Sequence, residues 1–214
     1  MRELGRVFVL GDSYSTFDGY IPQGYASYYG ERENPTDVRA VEQTWWHLLV
    51  KETNSTLIQN CSWSGTTICH TGYNGEDCKD KSFIARFRKL ANDGYFYENP
   101  VDTLFVFGGT NDSWTGAQLG ELKYFDWTEE ELYSVLPAIS YLLSLIKDTL
   151  SSTRIIVVIN TELKKDIAEG LKAACEYFGI EWVELESIDK MCGHPSILGM
   201  EQIKNQIIEV LKNR

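Results

Sequence analysis

Short apolar runs alternate with longer amphipathic stretches along this chain. Arg6-Val7-Phe8-Val9-Leu10 is brief and is followed at once by Gly11-Asp12-Ser13, which predicts a buried strand. Residues 41 to 53 predict a helix with Trp45, Leu48 and Leu49 on one face. A second strand is expected over residues 56 to 59, leading into Asn60-Cys61-Ser62-Trp63-Ser64-Gly65. Residues 81 to 92 space Phe83, Ile84, Phe87 and Leu90 as the stripe of a helix. Residues 102 to 107 form a strongly apolar strand that ends at Gly108-Gly109. The longest helix is expected over residues 129 to 150, with Thr128 as N-cap, Glu131 as its capping-box partner and Pro137 as a kink or a division. Residues 154 to 159 predict a β-branched strand, residues 164 to 178 a helix stopped by Gly179, residues 180 to 185 the last strand, and residues 197 to 213 the last helix.

This is a strand-then-helix unit repeated about five times, which predicts an α/β fold with a parallel sheet covered on both faces. No internal repeat and no linker interrupts it, so residues 1 to 214 read as a single domain. The two longest irregular stretches are residues 14 to 40 and 66 to 80, and long loops in a compact domain often carry function.

Composition narrows the partners. The chain carries 20 basic and 31 acidic side chains, a net charge of -11, without a basic patch. Nucleic acid and an anionic membrane surface are therefore not expected as partners, and a neutral substrate suits this field better. No apolar run approaches the ~20 residues of a membrane span. No signal peptide is seen before the first strand, so the expected location is cytoplasmic, or secreted if a leader has been removed. Cys61, Cys69, Cys78, Cys175 and Cys192 match no metal motif and read as free thiols, although Cys69 and Cys78 flank a glycine-containing loop and could pair in an oxidising compartment. Neither a metal nor a cofactor is expected: the three histidines are dispersed, and Gly-x-Gly-x-x-Gly and P-loop patterns are absent, which counts against a flavin- or nucleotide-binding protein.

In open α/β sheets, ligands bind beyond the carboxyl ends of the strands. Four polar or glycine-containing segments follow strands here: Gly11-Asp12-Ser13-Tyr14-Ser15, Asn60 to Gly65, Gly108-Gly109-Thr110-Asn111-Asp112, and His194-Pro195-Ser196 with Asp189 just before. Acyl transfer needs a nucleophile, a base and donors for an oxyanion. Ser13 can be the nucleophile and His194 the base, with the N–H groups of Ser13 and Gly65 and the amide of Asn111 as donors. Alone, each fragment has a plainer use, as a turn, a positive-φ glycine, a helix cap or a loop histidine. His47 reads as a packing residue, and His70 is the competing base.

Together the four blocks resemble the SGNH hydrolases, also called GDSL esterases, named for Ser, Gly, Asn and His in this order. The resemblance runs from residue 6 to about 210. It implies a flavodoxin-like three-layer α/β/α sandwich with a five-stranded parallel sheet, and metal-free hydrolysis of esters or thioesters through a covalent acyl-enzyme. The family usually sets an aspartate three residues before the histidine, where this chain has Met191. Asp189 can orient His194 if the Met191-Cys192-Gly193 loop bulges, which Gly193 permits; otherwise a backbone carbonyl orients it and leaves a dyad, with Glu186 a weaker alternative to Asp189.

Aromatic side chains crowd the long loops. Trp63 and Trp114 lie within three residues of an expected oxyanion donor. With Asp12 and Tyr14 they are the expected substrate contacts, and they lean the reading towards an ester on a carbohydrate, such as an O-acetyl group. The alternative is a non-catalytic carbohydrate- or ligand-binding protein on the same fold, motivated by Met191. Oligomeric state is not encoded in any of these signals.

Overall fold

The computed structural model describes residues 4–31 and 35–212. Its centre is a parallel sheet of five strands, β1 (Arg6–Gly11), β2 (Thr56–Ser62), β3 (Thr103–Phe107), β4 (Arg154–Ile159) and β5 (Glu181–Glu184), in the order β2-β1-β3-β4-β5. Both faces are covered, which is why the strands read as apolar runs rather than as alternating ones. Phe8, Leu10, Leu104, Val106, Ile155 and Val157 point into one core, shared with helices α2 (Phe83–Asn92), α5 (Val135–Thr149) and α6 (Lys165–Phe178). Val7, Val9, Phe105, Phe107, Ile156 and Val158 point into the other, against α1 (Trp45–Glu52) and α7 (Ile197–Lys212). The expected three-layer α/β/α sandwich is present. Its strand order reverses at β1: the chain first steps outward to β2, then returns to lay β3 on the other side. The carboxyl ends of β1 and β3 flank this switch point, where such sheets place their ligands.

Three boundaries differ from the expectation, each for a local reason. The helix expected over 41 to 53 opens as a separate 3-10 turn, Val41–Gln43, because Gln43 Oε1 accepts the N–H groups of Arg39 and Ala40 and Thr44 is extended. The expected 129-to-150 helix is likewise two elements. Thr128 and Glu131 do exchange hydrogen bonds (2.7 and 3.3 Å), but they cap the 3-10 turn Glu131–Tyr133. Extended Ser134 then restarts the chain, and Pro137 falls in the first turn of α5, where it blocks no intrahelical bond. Two short helices, α3 (Tyr95–Glu98) and α4 (Thr110–Thr115), were not expected. Nor was the antiparallel hairpin of β6 (Lys190–Met191) and β7 (His194–Pro195). Among the described residues no helix is long and apolar enough to cross a membrane.

Candidate active site

Ser13 opens a 3-10 turn at the end of β1. Asp12 caps that turn: its Oδ1 accepts the N–H of Tyr14 at 3.1 Å. Ser13 is 3% exposed. His194 arrives from the hairpin, whose two turn residues, Cys192 and Gly193, both have positive φ (49° and 78°), the conformation of a tight two-residue connection. The turn sends the imidazole back over the end of β1, and His194 Nε2 lies 3.0 Å from Ser13 Oγ. His194 Nδ1 faces the Cys192 carbonyl at 3.3 Å. A carbonyl only accepts, so Nδ1 carries the proton, Nε2 is the acceptor, and the Ser13 hydroxyl donates to it. Burial pushes the His194 pKa below the ordinary imidazole value, with the Lys190 charge acting in the same direction and the Cys192 carbonyl opposing both.

The other expected site residues, Gly65 and Asn111, are gathered around the loop after β2. Gly65 is exposed, has φ 78° and has open space where a Cβ would stand. Its N–H and that of Ser13 make no hydrogen bond within the described chain. Asn111, in the first turn of α4, donates through Nδ2 to the Thr66 carbonyl at 2.9 Å, which leaves one amide hydrogen for a ligand. Tyr73 donates to Asn111 Oδ1 at 2.7 Å and so fixes which way the amide points. Asp112 accepts the N–H groups of Ile68 and Cys69 (2.9–3.1 Å) and clamps the same loop to α4. Arg86 enters from α2, fully buried, and donates to the Gly11 carbonyl at 3.2 Å, to Thr66 Oγ1 at 3.1 Å and to the Cys61 carbonyl. One guanidinium thus ties the ends of β1 and β2 to the loop that follows β2.

The expected site residues separate into two groups. Ser13, His194, Gly65 and Asn111 converge. Asp189 does not join them: its carboxylate accepts from the Ser196 hydroxyl, its N–H donates to Gln202 Oε1, and among the described residues no carboxylate pairs with His194. Asp189 stands just before β6, and the return strand of the hairpin carries His194 away from it towards Ser13. Glu186 sits near α7, where its carbonyl and N–H bond the Gln206 side chain. Asp12 and Tyr14, expected to touch substrate, are fully buried beneath the site, with the Tyr14 hydroxyl on the Gly193 carbonyl at 2.6 Å. Trp63 stacks on Tyr25, and Trp114, 48% exposed, stands edge-on to His194 at 6.1 Å. His70 is buried against Ser82 Oγ at 3.0 Å and makes no contact with Ser13. Cys69 and Cys78 are free, buried thiols. Among the described residues no group of three or more metal-ligating side chains is gathered.

Sequence reasoning missed Arg86, and placed Tyr73 and Tyr28 only among the aromatic side chains of the long loops, without these contacts. Arg86 carried a signal: it lies three residues after Phe83 and four before Leu90, on the buried stripe of its helix. The two tyrosines carried none, because long loops bring them in.

The family model for GDSL-like lipases and acylhydrolases matches residues 5–211. The chain belongs to this family. Its members are ester hydrolases. A chain from Bacteroides ovatus described as a GDSL-like lipase is 44% identical, with a TM-score of 0.92 over 100% of both chains. Another so described, from Bacteroides uniformis, is 40% identical, with a TM-score of 0.91 over 98% of this chain and 96% of the other. An acetyl xylan esterase from the rumen bacterium Butyrivibrio proteoclasticus shares the fold at 17% identity, with a TM-score of 0.63 over 100% of this chain and 64% of its own. No curated protein matches the chain.

Proposed function

We propose that this GDSL-family protein is a serine esterase that works through a Ser13–His194 dyad and removes short acyl groups from a carbohydrate alcohol. The observation that carries the reading is the 3.0 Å approach of His194 Nε2 to the Ser13 hydroxyl, with the donors of an oxyanion hole beside it. Ser13 Oγ attacks the ester carbonyl carbon as His194 takes its proton. The oxyanion is held by the N–H groups of Ser13 and Gly65 and the free amide hydrogen of Asn111. The tetrahedral species collapses, the alcohol departs with the proton from His194, and the acyl group remains on Ser13. A water molecule, giving its proton to His194, then releases the carboxylic acid and restores the serine.

The carbohydrate part rests on the rim. Trp114 is half-exposed beside His194, and the Tyr25–Trp63 pair stands beside the oxyanion loop. Such rings offer faces and edges to a sugar. The remote acetyl xylan esterase shares the fold with this chain. The test is a screen of wild type and Ser13→Ala on acetylated sugars and p-nitrophenyl esters. The alanine variant is expected to lose on the order of 10^4–10^6-fold in kcat while keeping its fold, and an organophosphonate should label Ser13. Undiminished turnover by Ser13→Ala overturns the mechanism, and glycan binding with no turnover across a broad acyl panel overturns the activity.

A further inference from the structure

Among the described residues no carboxylate stands behind His194, but the ring is closely held. Tyr28 lies flat against the imidazole, with ring centroids 3.5 Å apart and planes 9° from parallel. Tyr14 (5.3 Å, tilted), Tyr29 (6.4 Å, edge-on) and Trp114 (6.1 Å, edge-on) complete the surround. Tyr14 and Tyr29 also spend their hydroxyls on the hairpin, on the carbonyls of Gly193 (2.6 Å) and Pro195 (2.9 Å). The Tyr28 hydroxyl makes no hydrogen bond among the described residues, so this side chain meets the base through its ring face alone. Its placement starts at the nucleophile: Tyr28 N–H donates to Thr16 Oγ1 at 2.9 Å, and Thr16 Oγ1 donates to the Ser13 carbonyl at 3.0 Å.

A carboxylate behind a catalytic histidine fixes the ring and stabilises the imidazolium that forms when serine gives up its proton. The groups facing His194 here are the Cys192 carbonyl, the rings of Tyr14, Tyr28 and Tyr29, and Lys190, which lies 5.7 Å over the Tyr14 ring and is ion-paired to Glu162 at 3.0 Å; the Cys192 thiol lies near Tyr28. Buried Asp12 lies behind Tyr14. The ammonium opposes a positive ring, and the carbonyl contact is long. A π face in direct contact attracts a cation.

We propose that Tyr28 is a positioning residue that takes over both duties of the missing carboxylate, holding the plane of the His194 imidazole and stabilising its protonated form through its ring face. This rests on the Ser13–His194 esterase reading. It makes the base dependent on a residue from the long loop after Ser13 rather than on one from its own hairpin.

The experiment compares wild type, Tyr28→Phe and Tyr28→Leu by kcat and KM on p-nitrophenyl acetate, by the pH profile of kcat/KM, and by NMR titration of the His194 ring. Phe keeps the π face and is expected to stay within about 2-fold of wild type. Leu keeps an apolar wall without a π face. It is expected to lower kcat about 10-fold with KM within about 2-fold, and to lower the His194 pKa by roughly half to one unit. If the ring were only a wall against water, the Leu variant would leave the His194 pKa unchanged or raise it, and that result overturns the proposal. Loss in Tyr28→Phe equal to that in Tyr28→Leu assigns the effect to the hydroxyl and also overturns it. Tyr28→Met serves if the Leu variant misfolds. The titration needs no turnover, so wild type inactive on every ester fails the esterase reading, while an unmoved His194 pKa in an active enzyme fails the Tyr28 proposal.

Discussion

At the scale of single residues, the support of the general base departs furthest from what the spacing suggested. Asp189 lies close to His194 in sequence, but its carboxylate is committed to the Ser196 hydroxyl just before α7. Removing the charge of a carboxylate that orients a catalytic histidine costs about 10^4 in kcat. Asp189→Asn here is expected to stay within about 5-fold of wild type and to lose about 1 kcal/mol of stability through the weaker bond to Ser196. Steady-state kinetics and urea unfolding of one variant check both figures. The lowered His194 pKa has its own consequence: the base is neutral down to pH values below the ordinary imidazole range, so the acidic limb of kcat/KM is expected there.

At the scale of elements, the β6–β7 hairpin delivers His194, the proposed base, and α7 is the surface that holds the hairpin. A methyl group at Gly199, in the first turn of α7, would stand 2.1 Å from the Asp189 carbonyl oxygen and 3.3 Å from Pro195 Cβ. The first contact is with backbone and cannot be relieved by a rotamer change. Gly199→Ala is therefore expected to push the hairpin off α7, to cost about 1–3 kcal/mol in urea unfolding and to lower kcat by displacing His194. Wild-type stability and activity in this variant would mean that the hairpin is held from elsewhere. The loop after β2 has the opposite construction, with anchors from two helices: Arg86 on α2, whose start Ser82 caps, and Asn111 and Asp112 on α4.

At the scale of the whole molecule, the switch point of the sheet gathers buried charge under the site. Asp12, Asp112 and Arg86 are all fully or nearly fully buried. Burial pushes the Asp12 carboxyl up to about 7, with Asp112 adding to the rise while the Tyr14 N–H and Arg86 oppose it. Asp12 Oδ2 has no hydrogen-bond partner among the described residues. The sign follows from proton counts. Between the ordinary carboxylate value and about pH 7 the native state keeps a proton that the unfolded chain has lost, so stability falls as pH rises through that window. Asp12→Asn retains an acceptor for the Tyr14 N–H and removes the titration. Relative to wild type it is expected to gain on the order of 3 kcal/mol between pH 4 and pH 8, read from urea unfolding at the two pH values. A constant difference between the two proteins would show that Asp12 is ionised throughout.

The strands were legible in the sequence because a parallel sheet buried on both faces demands continuous apolar runs, and Val7 to Leu10 or Leu104 to Phe107 can serve little else. Ser13, Gly65, Asn111 and His194 were legible for a related reason: each follows a strand, or opens the segment after one, and the carboxyl edge of such a sheet is where loops converge. Helix ends were less so, since Gln43 and Glu131 carry capping patterns that close a single turn as readily as they open a long helix. What only the tertiary structure decided is what stands behind each of the four residues. Tyr28 and Tyr73 reach His194 and Asn111 from loops without periodicity. Asp189, five residues from its expected partner, is turned from it by two positive-φ residues. Proximity along a chain fixes contact only where the backbone between is regular; across a tight turn or a long loop, packing fixes it.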